Sequence, residues 1–225
     1  MAKAIHGDAH LLVDRARDRK RMVEYQLVAR GVRDERVLDA FRTVPREDFV
    51  AEGLEEFAYD DAPLPIGEGQ TISQPYVVAR MCELLALRGD EIALDVGTGS
   101  GYHAAVLARL VERVISIERF PSLSRTAGAA LEAAGVRNVT LVVGDGSAGY
   151  EAEAPYDAIN VAAGSAHGVP PALAEQLADG GRMVLPIDGG SQRLLVVHRH
   201  GGSLMQEHHD PVRFVPLVAG GAPQR

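Results

Sequence analysis

From residue 91 onward, short apolar runs alternate with stretches of helical periodicity, and this alternation restricts the possible folds more than any other feature of the sequence. Short apolar runs bounded by turn residues are typical of buried strands. Strands that alternate with helices predict a parallel sheet joined by right-handed crossovers. The predicted strands are EIALDV, RVISIE, NVTLVVGD, YDAINVAA and RMVLPI, and the predicted helices cover residues 102–110, 121–134 and 170–177.

The last part of the chain follows a different pattern. QRLLVVHRH and SLMQEHH flank a Gly-Gly turn, which predicts an antiparallel hairpin, and VRFVPL predicts a final strand. Gly180 and Gly181 are predicted to end the helix that precedes the fifth strand. We therefore expect an α/β fold whose sheet is mostly parallel, with antiparallel edge strands near the C-terminal end. Ligands of such sheets bind beyond the carboxyl ends of the parallel strands.

The first 60 residues predict helices. Apolar residues recur there at roughly helical spacing, beginning with Leu11 and Leu12, and charged residues separate them. Gly31 is a plausible end for the first helix. Asp34 is expected to cap a second, shorter helix.

The segment 62–69 marks a change in character. It reads APLPIGEG, with two prolines and two glycines, and predicts a loop. A helix is expected to begin at Pro75, because proline is well tolerated in the first helical turn. With 225 residues the chain is expected to form one domain (1–225), divided into a helical cap with a loop at 1–74 and a core at 75–225.

A glycine-rich turn follows the first predicted core strand. Glycines occupy positions 97, 99 and 101 in the run DVGTGSG, a spacing that departs from the dinucleotide pattern G-x-G-x-x-G. The turn also lacks the lysine with which a P-loop meets phosphates. Glycine permits a tight turn and close approach of the backbone to a ligand. An alternative is that these glycines only form a tight turn between strand and helix.

Acidic residues at the ends of the next two predicted strands strengthen the ligand interpretation. Glu118 follows Gly101 by 17 residues, and a carboxylate there can accept hydrogen bonds from the hydroxyls of an unphosphorylated ribose. Asp145 and Gly146 end the third strand, where they could contact an adenine edge. Asp95 could bind the ligand or only brace the glycine turn. Together these residues predict a nucleoside site.

The run ALDVGTGSGY and the acid at the end of the second strand resemble the class I methyltransferases, which bind S-adenosylmethionine and release S-adenosylhomocysteine. The resemblance implies a Rossmann-like fold. It also implies a set of cofactor-binding residues drawn from the glycine turn, the strand ends and the loop before Pro75. These are Gln70, Thr71, Asp95, Gly97, Thr98, Gly99, Ser100, Gly101, Glu118, Asp145 and Gly146.

A second group of motifs is more specific. PLPIGEGQTISQP, together with MVEYQLVARGVRDERVL, VPREDFV and VRFVPL, is similar to protein-L-isoaspartate O-methyltransferases, and the similarity extends from about residue 21 to residue 217. That family implies N-terminal helices packed over the cofactor site. It implies methyl transfer to the α-carboxylate of isoaspartyl residues in damaged proteins and peptides. The resulting ester collapses to a succinimide, which hydrolyses partly to normal aspartate.

The residue types in the loop before Pro75 suit this chemistry. A carboxylate is already ionised near pH 7, since its reference pKa is about 4, and it needs no general base. What the reaction requires is alignment at a near-attack distance of about 3–3.5 Å. Ser73 is therefore predicted to be the catalytic residue, whose hydroxyl orients and binds the substrate carboxylate. The alternative role of Ser73 is to cap the helix that begins at Pro75, and Tyr76 could contact the cofactor or pack.

Small residues after the fourth predicted strand are expected to face the substrate. Ala162 and Ala163 would let a peptide backbone approach closely. The following loop, 164–168, departs from the small-residue run ending in Ala-Pro that members of the family commonly show. This departure motivates a second hypothesis, in which the protein methylates a normal aspartate of a dedicated peptide to install isoaspartate. A third hypothesis, independent of the loop, is a non-catalytic adenosine-binding module.

Several classes of partner and site are disfavoured by composition. Lys and Arg number 23 against 31 Asp and Glu, a net charge of −8, so nucleic acid is not expected as a partner. No apolar run approaches the length of about 20 residues that a membrane span needs. Residues 1–20 lack the apolar stretch of a signal peptide, so a cytoplasmic protein is expected. The protein is also expected to be a monomer. No metal site is expected: Cys82 is the only cysteine, and His198, His200, His208 and His209 are predicted to lie on a surface hairpin.

Overall fold

The computed structural model describes residues 15–220. Its strands form a two-stranded hairpin and a seven-stranded sheet. The hairpin comprises β1 (Leu64–Gly67) and β2 (Gln70–Ile72). The sheet comprises β3 (Ile92–Val96), β4 (Arg113–Glu118), β5 (Val139–Val143), β6 (Tyr156–Val161), β7 (Leu177–Ile187), β8 (Arg193–His200) and β9 (Ser203–Pro211).

The order of strands in the large sheet is β5-β4-β3-β6-β7-β8-β9. Neighbours from β5 to β7 pair in parallel, whereas β8 and β9 pair antiparallel. The chain reverses its direction across the sheet between β3 and β6, and ligands bind at such a switch point. The predicted fold class, a mostly parallel α/β sheet with antiparallel C-terminal edge strands, is confirmed.

The helices are α1 (residues 15–22), α2 (Glu35–Thr43), α3 (Pro75–Leu85), α4 (Tyr102–Leu107), α5 (Pro121–Ala133) and α6 (Pro171–Gln176). A π-helical turn, Val23–Leu27, and a 3₁₀ turn, Val28–Arg30, continue α1 until Gly31, whose φ of 99° ends the helical path. Asp34 caps α2 as predicted, because its side chain accepts hydrogen bonds from the backbone N–H groups of Arg36 and Val37. Leu11 and Leu12 lie outside the described residues. No helix among residues 15–220 has the length and apolar character that crossing a membrane requires.

Apolar side chains cover both faces of the central strands, as is typical of parallel strands between helical layers. On one face, a large cluster joins the strands to the N-terminal helices through residues such as Leu38, Phe41 and Met81. On the other face, a smaller cluster includes Leu94 and Leu173. The N-terminal helices therefore pack on one face of the sheet.

The prediction of a loop over 62–69 is wrong, because the segment contributes β1 and the turn of a hairpin. Glu68 and Gly69 both have positive φ, at 50° and 69°. Two successive residues with positive φ are characteristic of the tight turns that join antiparallel strands. The hairpin places Gln70 and Thr71 on its second strand.

Two further boundaries differ from the prediction. Gly180 and Gly181 do not end a helix, since α6 ends at Gln176 and both glycines lie within β7. Residues 212–217 (VRFVPL) are not a strand, apart from one isolated bridge between Gly164 and Pro216. This segment leaves the sheet edge and runs past the loop after β6, with backbone hydrogen bonds to Gln192 and Gly164.

Candidate active site

The glycine turn lies between β3 and α4, at the carboxyl end of the sheet. Its backbone is held by the neighbouring strand, because the N–H groups of Gly97 and Thr98 donate to the Ile117 carbonyl at 2.9 and 3.1 Å. Gly101 has a φ of 88°, and a Cβ there would lie 3.2 Å from the Cβ of Ala127. Both the conformation and the close packing therefore require glycine at position 101.

Glu118 projects from the end of β4 into the space above this turn and is only 5% exposed. One carboxylate oxygen accepts from the Gly99 N–H at 2.9 Å, and the other accepts from the Phe120 N–H at 2.9 Å. A carboxylate oxygen can accept more than one hydrogen bond. The side chain is thus fixed in place and still able to accept hydrogen bonds from two vicinal hydroxyls.

A cavity of about 320 Å³ opens between the glycine turn, the end of β4 and the C-terminal segment 215–218; we call it the nucleoside cleft. A second cavity, of about 550 Å³, lies on the other side of Thr71 and Ala162; we call it the peptide cleft. Thr71, Ala162 and Val215 line both clefts, and a small cavity of about 40 Å³ lies between Ser73 and the glycine turn. The two clefts therefore meet at the predicted catalytic loop.

The structure brings most of the predicted site residues to these clefts. The nucleoside cleft is lined by Gln70, Thr71, Gly97, Gly99, Glu118, Gly146, Ala162 and Ala163. Thr98 and Ser100 line the small connecting cavity instead. Asp95, Gly101 and Asp145 line none of these three cavities.

Asp95 lies beneath the glycine turn and has no exposed surface. Its carboxylate accepts from the Ser116 hydroxyl and the Asn160 amide, each at 2.7 Å, and Ser116 in turn bonds the Thr98 hydroxyl at 2.6 Å. Burial raises the pKa of Asp95 to about 6, although both hydrogen bonds oppose that shift. This arrangement braces the turn from below and does not present the carboxylate to a ligand.

Asp145 is likewise occupied by protein groups. One oxygen accepts from the backbone N–H and the hydroxyl of Ser147, and the other accepts from the Gly220 N–H at 2.6 Å. Partial burial acts to raise the pKa of this carboxyl, but these hydrogen bonds outweigh it and hold the pKa below its usual value. The adjacent Gly146, rather than the Asp145 side chain, faces the nucleoside cleft.

Ser73 lies in the peptide cleft and in the small cavity that faces the glycine turn. It does not cap α3, because the N-cap residue is Gln74 and no side chain caps that helix. The capping alternative is therefore wrong. Among the described residues, the Ser73 hydroxyl has no protein hydrogen-bond partner, whereas the Ser73 carbonyl accepts from Arg46 at 2.8 Å.

The peptide cleft carries charged residues that the sequence did not single out. Arg30 bonds Asp61 at 2.6 Å and stacks over the ring of Tyr76, 3.5 Å from its centroid. Tyr76 thus faces the peptide cleft and does not line the nucleoside cleft. Arg213 also lines this cleft, from the segment that the sequence predicted as a strand. The helical pattern around Arg30 does not indicate that its side chain lines a cleft.

Residues 164–168 line neither cleft. The N–H of Gly164 donates to Val215 and its carbonyl accepts from Leu217, while the N–H of Ser165 donates to Pro186. The loop therefore supports the C-terminal segment. The expectation that this loop faces the substrate, and the hypothesis of a dedicated peptide that rests on it, stay predictions.

A buried histidine that the sequence did not reveal lies next to Asp95. The Asn160 amide donates to Nδ1 of His103 at 3.2 Å, and Nε2 of His103 lies 3.4 Å from Sγ of Cys82. Burial lowers the pKa of His103 to about 3 and raises that of Cys82, so both are neutral near pH 7. Within residues 15–220, no group of three or more His, Cys, Asp or Glu side chains could hold a metal ion.

Sequence comparisons agree with this geometry. A family profile described as protein-L-isoaspartate(D-aspartate) O-methyltransferase matches residues 17–222. A protein-L-isoaspartate O-methyltransferase of Halorhodospira halophila is 57% identical over 206 residues, covering 91% of this chain and 93% of that protein. One from Geobacter metallireducens is 52% identical over 202 residues, covering 89% of this chain and 93% of that protein.

Solved structures give the same result. A protein-L-isoaspartate O-methyltransferase aligns with a TM-score of 0.80 and 31% identity, covering 91% of this chain and 66% of that chain. A second, from Plasmodium falciparum in complex with S-adenosyl-L-homocysteine, aligns with a TM-score of 0.76 and 27% identity, covering 89% of this chain and 98% of that chain.

Proposed function

Because the chain belongs to the protein-L-isoaspartate(D-aspartate) O-methyltransferase family, we propose that it methylates the α-carboxylate of L-isoaspartyl residues in damaged proteins and peptides. The methyl donor is S-adenosylmethionine, and the product ester initiates repair through a succinimide. The observation that carries the proposal is the junction of the two clefts at Thr71, Ser73 and Ala162.

The residues at the nucleoside cleft fit an adenosine-containing cofactor. The Glu118 carboxylate is fixed by two N–H donors at the position where a ribose would present its hydroxyls. Gly97 and Gly99 line the cleft without side chains and so permit a bulky ligand close to the backbone. Gln70 and Thr71 would close over the cofactor, and Gly146 would lie near the adenine.

The remaining predicted residues are proposed to act on this cleft indirectly. Asp95 and Thr98 belong to the hydrogen-bonded network beneath the turn. Ser100 accepts from the Tyr102 N–H at 3.3 Å, at the start of α4. Gly101 packs against α5, and Asp145 holds its own turn and Gly220. We propose that these five residues shape the cofactor site and do not contact the cofactor through their side chains.

When bound, S-adenosylmethionine supplies an electrophilic methyl group on a positively charged sulfur. The chain itself needs to hold an already ionised carboxylate at the junction and to exclude water, because charge is neutralised as the methyl group moves. The Ser73 hydroxyl is free to donate to one carboxylate oxygen. Ala162 presents only a methyl group at the junction, and Ala163 only a methyl group in the nucleoside cleft, so a peptide backbone can approach.

We also propose that the enzyme acts as a monomer in the cytoplasm, without nucleic-acid or membrane partners. The net charge of −8 supports the absence of a polyanionic partner. Gel filtration with light scattering tests the oligomeric state, and a dimer mass would contradict that part of the proposal.

The test of function uses an isoaspartyl peptide and its normal aspartyl twin. The wild-type protein should methylate only the isoaspartyl peptide. Ser73→Ala should lower kcat by about 10–100-fold, since one hydrogen bond to a charged group contributes roughly 1.5–3 kcal/mol. Affinity for S-adenosylhomocysteine, measured by calorimetry, should change by less than about twofold, because the hydroxyl does not line the nucleoside cleft.

Ser203→Ala, at the exposed start of β9, is the matched control and should leave kcat unchanged. Equal rates on the two peptides would contradict the substrate assignment. A Ser73→Ala protein at full speed would contradict the role of Ser73 alone. Binding of the methyl donor without turnover on any peptide would favour the non-catalytic module.

A further inference from the structure

Among residues 15–220, Arg46 is the largest side chain that is completely buried, with 0% of its surface exposed. It begins the 3₁₀ turn Arg46–Phe49, between α2 and the hairpin. Within residues 15–220, no carboxylate lies within salt-bridge distance of its guanidinium, and Nη1 has no hydrogen-bond partner. Burial lowers the pKa of Arg46 to about 10, so it still carries its charge at neutral pH. An unpaired buried cation is costly, and its few contacts therefore need an explanation.

The contacts of Arg46 join three separate parts of the chain. Nε donates to the Ala58 carbonyl at 2.7 Å, and Nη2 donates to the Ser73 carbonyl at 2.8 Å. The guanidinium lies over the ring of Tyr102, 4.8 Å from its centroid. Tyr102 directly follows Gly101, the last residue of the glycine turn. Arg46 therefore links the loop that carries Ser73 to the helix that begins at the cofactor turn.

The Tyr102 ring beneath the Arg46 guanidinium is itself packed between two aromatic side chains. Phe41 and Phe49 both contact the Tyr102 ring edge-on, with centroids 5.9 and 5.7 Å away. The guanidinium is planar, and its donors point in fixed directions. A shift of the Ser73 carbonyl would break the bond to Nη2 while the remaining contacts of Arg46 stay in place. Through Arg46, the Ser73 backbone is thus held against Tyr102, the residue that follows the cofactor turn.

We propose that Arg46 is a positioning residue for methyl transfer: by binding the Ser73 carbonyl, it sets the place of the Ser73 hydroxyl relative to the cofactor turn. The inference rests on the proposed function, because it requires Ser73 to orient the substrate. Reactions of this kind are sensitive to alignment, and a misplacement of about 1 Å can cost roughly 100-fold in rate. The alternative is that Arg46 only stabilises the fold.

A double-mutant cycle separates these two roles. Arg46→Lys keeps the charge but loses the planar guanidinium with its fixed donor directions. It should therefore lower kcat on the isoaspartyl peptide by at least about 10-fold. Its affinity for S-adenosylhomocysteine should stay within about threefold of wild type. In the Ser73→Ala background, Arg46→Lys should cost less than about threefold, because the hydroxyl that Arg46 positions is already absent. Arg42→Lys, on the exposed face of α2, is the matched control and should leave kcat unchanged.

A merely structural residue would behave differently. An equal loss of kcat from Arg46→Lys in both backgrounds would overturn the positioning role, as would an unchanged kcat in the single variant. Arg46→Gln, which places no charge in the core, repeats the cycle if the lysine variant does not fold. Failure of both variants to fold would assign Arg46 to stability and overturn the inference. A fully active Ser73→Ala protein would instead contradict the role of Ser73, which distinguishes the two failures.

Discussion

The stability of this protein should fall on mild acidification because of one buried histidine. His103 is 7% exposed, and its Nδ1 accepts a hydrogen bond from Asn160, which places the proton of the neutral ring on Nε2. Burial lowers its pKa from 6.5 to about 3. A pKa that is lower in the folded state means that the unfolded chain binds the proton first as the pH falls. The neutral ring therefore contributes stability that is present above pH 6.5 and is lost progressively towards pH 3.

The expected loss follows from these two values. Between about pH 7.5 and pH 5, a group with pKa values of 3 folded and 6.5 unfolded removes about 2 kcal/mol from the free energy of unfolding. Asp95, in the same network, acts in the opposite direction. Its raised pKa makes the folded protein gain stability as the pH falls from about 6 towards 3.8. The pH dependence of the free energy of unfolding of the wild type thus contains two opposed contributions. The contribution of His103 has to be obtained by comparing the wild type with a variant that lacks this histidine.

The perturbation is His103→Gln, which keeps an acceptor for Asn160 and does not titrate. Urea unfolding of both proteins at about pH 7.5 and pH 5 gives the comparison, in which the wild type should lose about 2 kcal/mol more than the variant. Asp95 is present in both proteins and cancels. His200→Gln, at the exposed end of β8, controls for removing a histidine. Parallel losses in wild type and His103→Gln would refute the claim that burial holds His103 neutral.

Two further substitutions change residues that line the nucleoside cleft, one to test ligand binding and one to test packing. Glu118→Gln should weaken S-adenosylhomocysteine binding by at least about 10-fold in calorimetry, because the amide cannot accept from both N–H donors and loses the charge. Glu132→Gln, at an exposed position of α5, is the control and should leave the affinity unchanged. An unchanged affinity in Glu118→Gln would show that Glu118 does not bind the ligand. Gly146→Ala should lower the free energy of unfolding by about 1–3 kcal/mol, because its Cβ would overlap Cγ1 of Val96. Gly144→Ala, whose Cβ would lie 3.8 Å from Ile117, is the control, and equal losses in the two would contradict the overlap.

The central strands β3, β4 and β6 could be predicted well from the sequence because they are buried on both faces and therefore stand out as apolar runs. The hairpin at 64–72 was missed for a physical reason: its strands span four and three residues, too few to establish a period of two. The segment 212–217 shows the opposite error, because its apolar residues predict a strand that the structure does not contain. Val212, Phe214, Val215 and Leu217 are half-buried because they pack beside the two clefts, not because the segment pairs along a sheet edge.

The strand-end acids show most clearly what a sequence can and cannot determine about this site. Asp95 lies in register with Ser116 of β4 and Asn160 of β6, and both of those side chains donate hydrogen bonds to the Asp95 carboxylate. Glu118 lies two residues beyond Ser116, on the same face but past the end of the pairing with β3. That step carries its carboxylate out of the buried network and into the nucleoside cleft. In the sequence, Asp95 and Glu118 have the same appearance, since each is an acidic residue at the end of a predicted strand. Only the register between neighbouring strands decides that one braces the turn and the other faces the ligand.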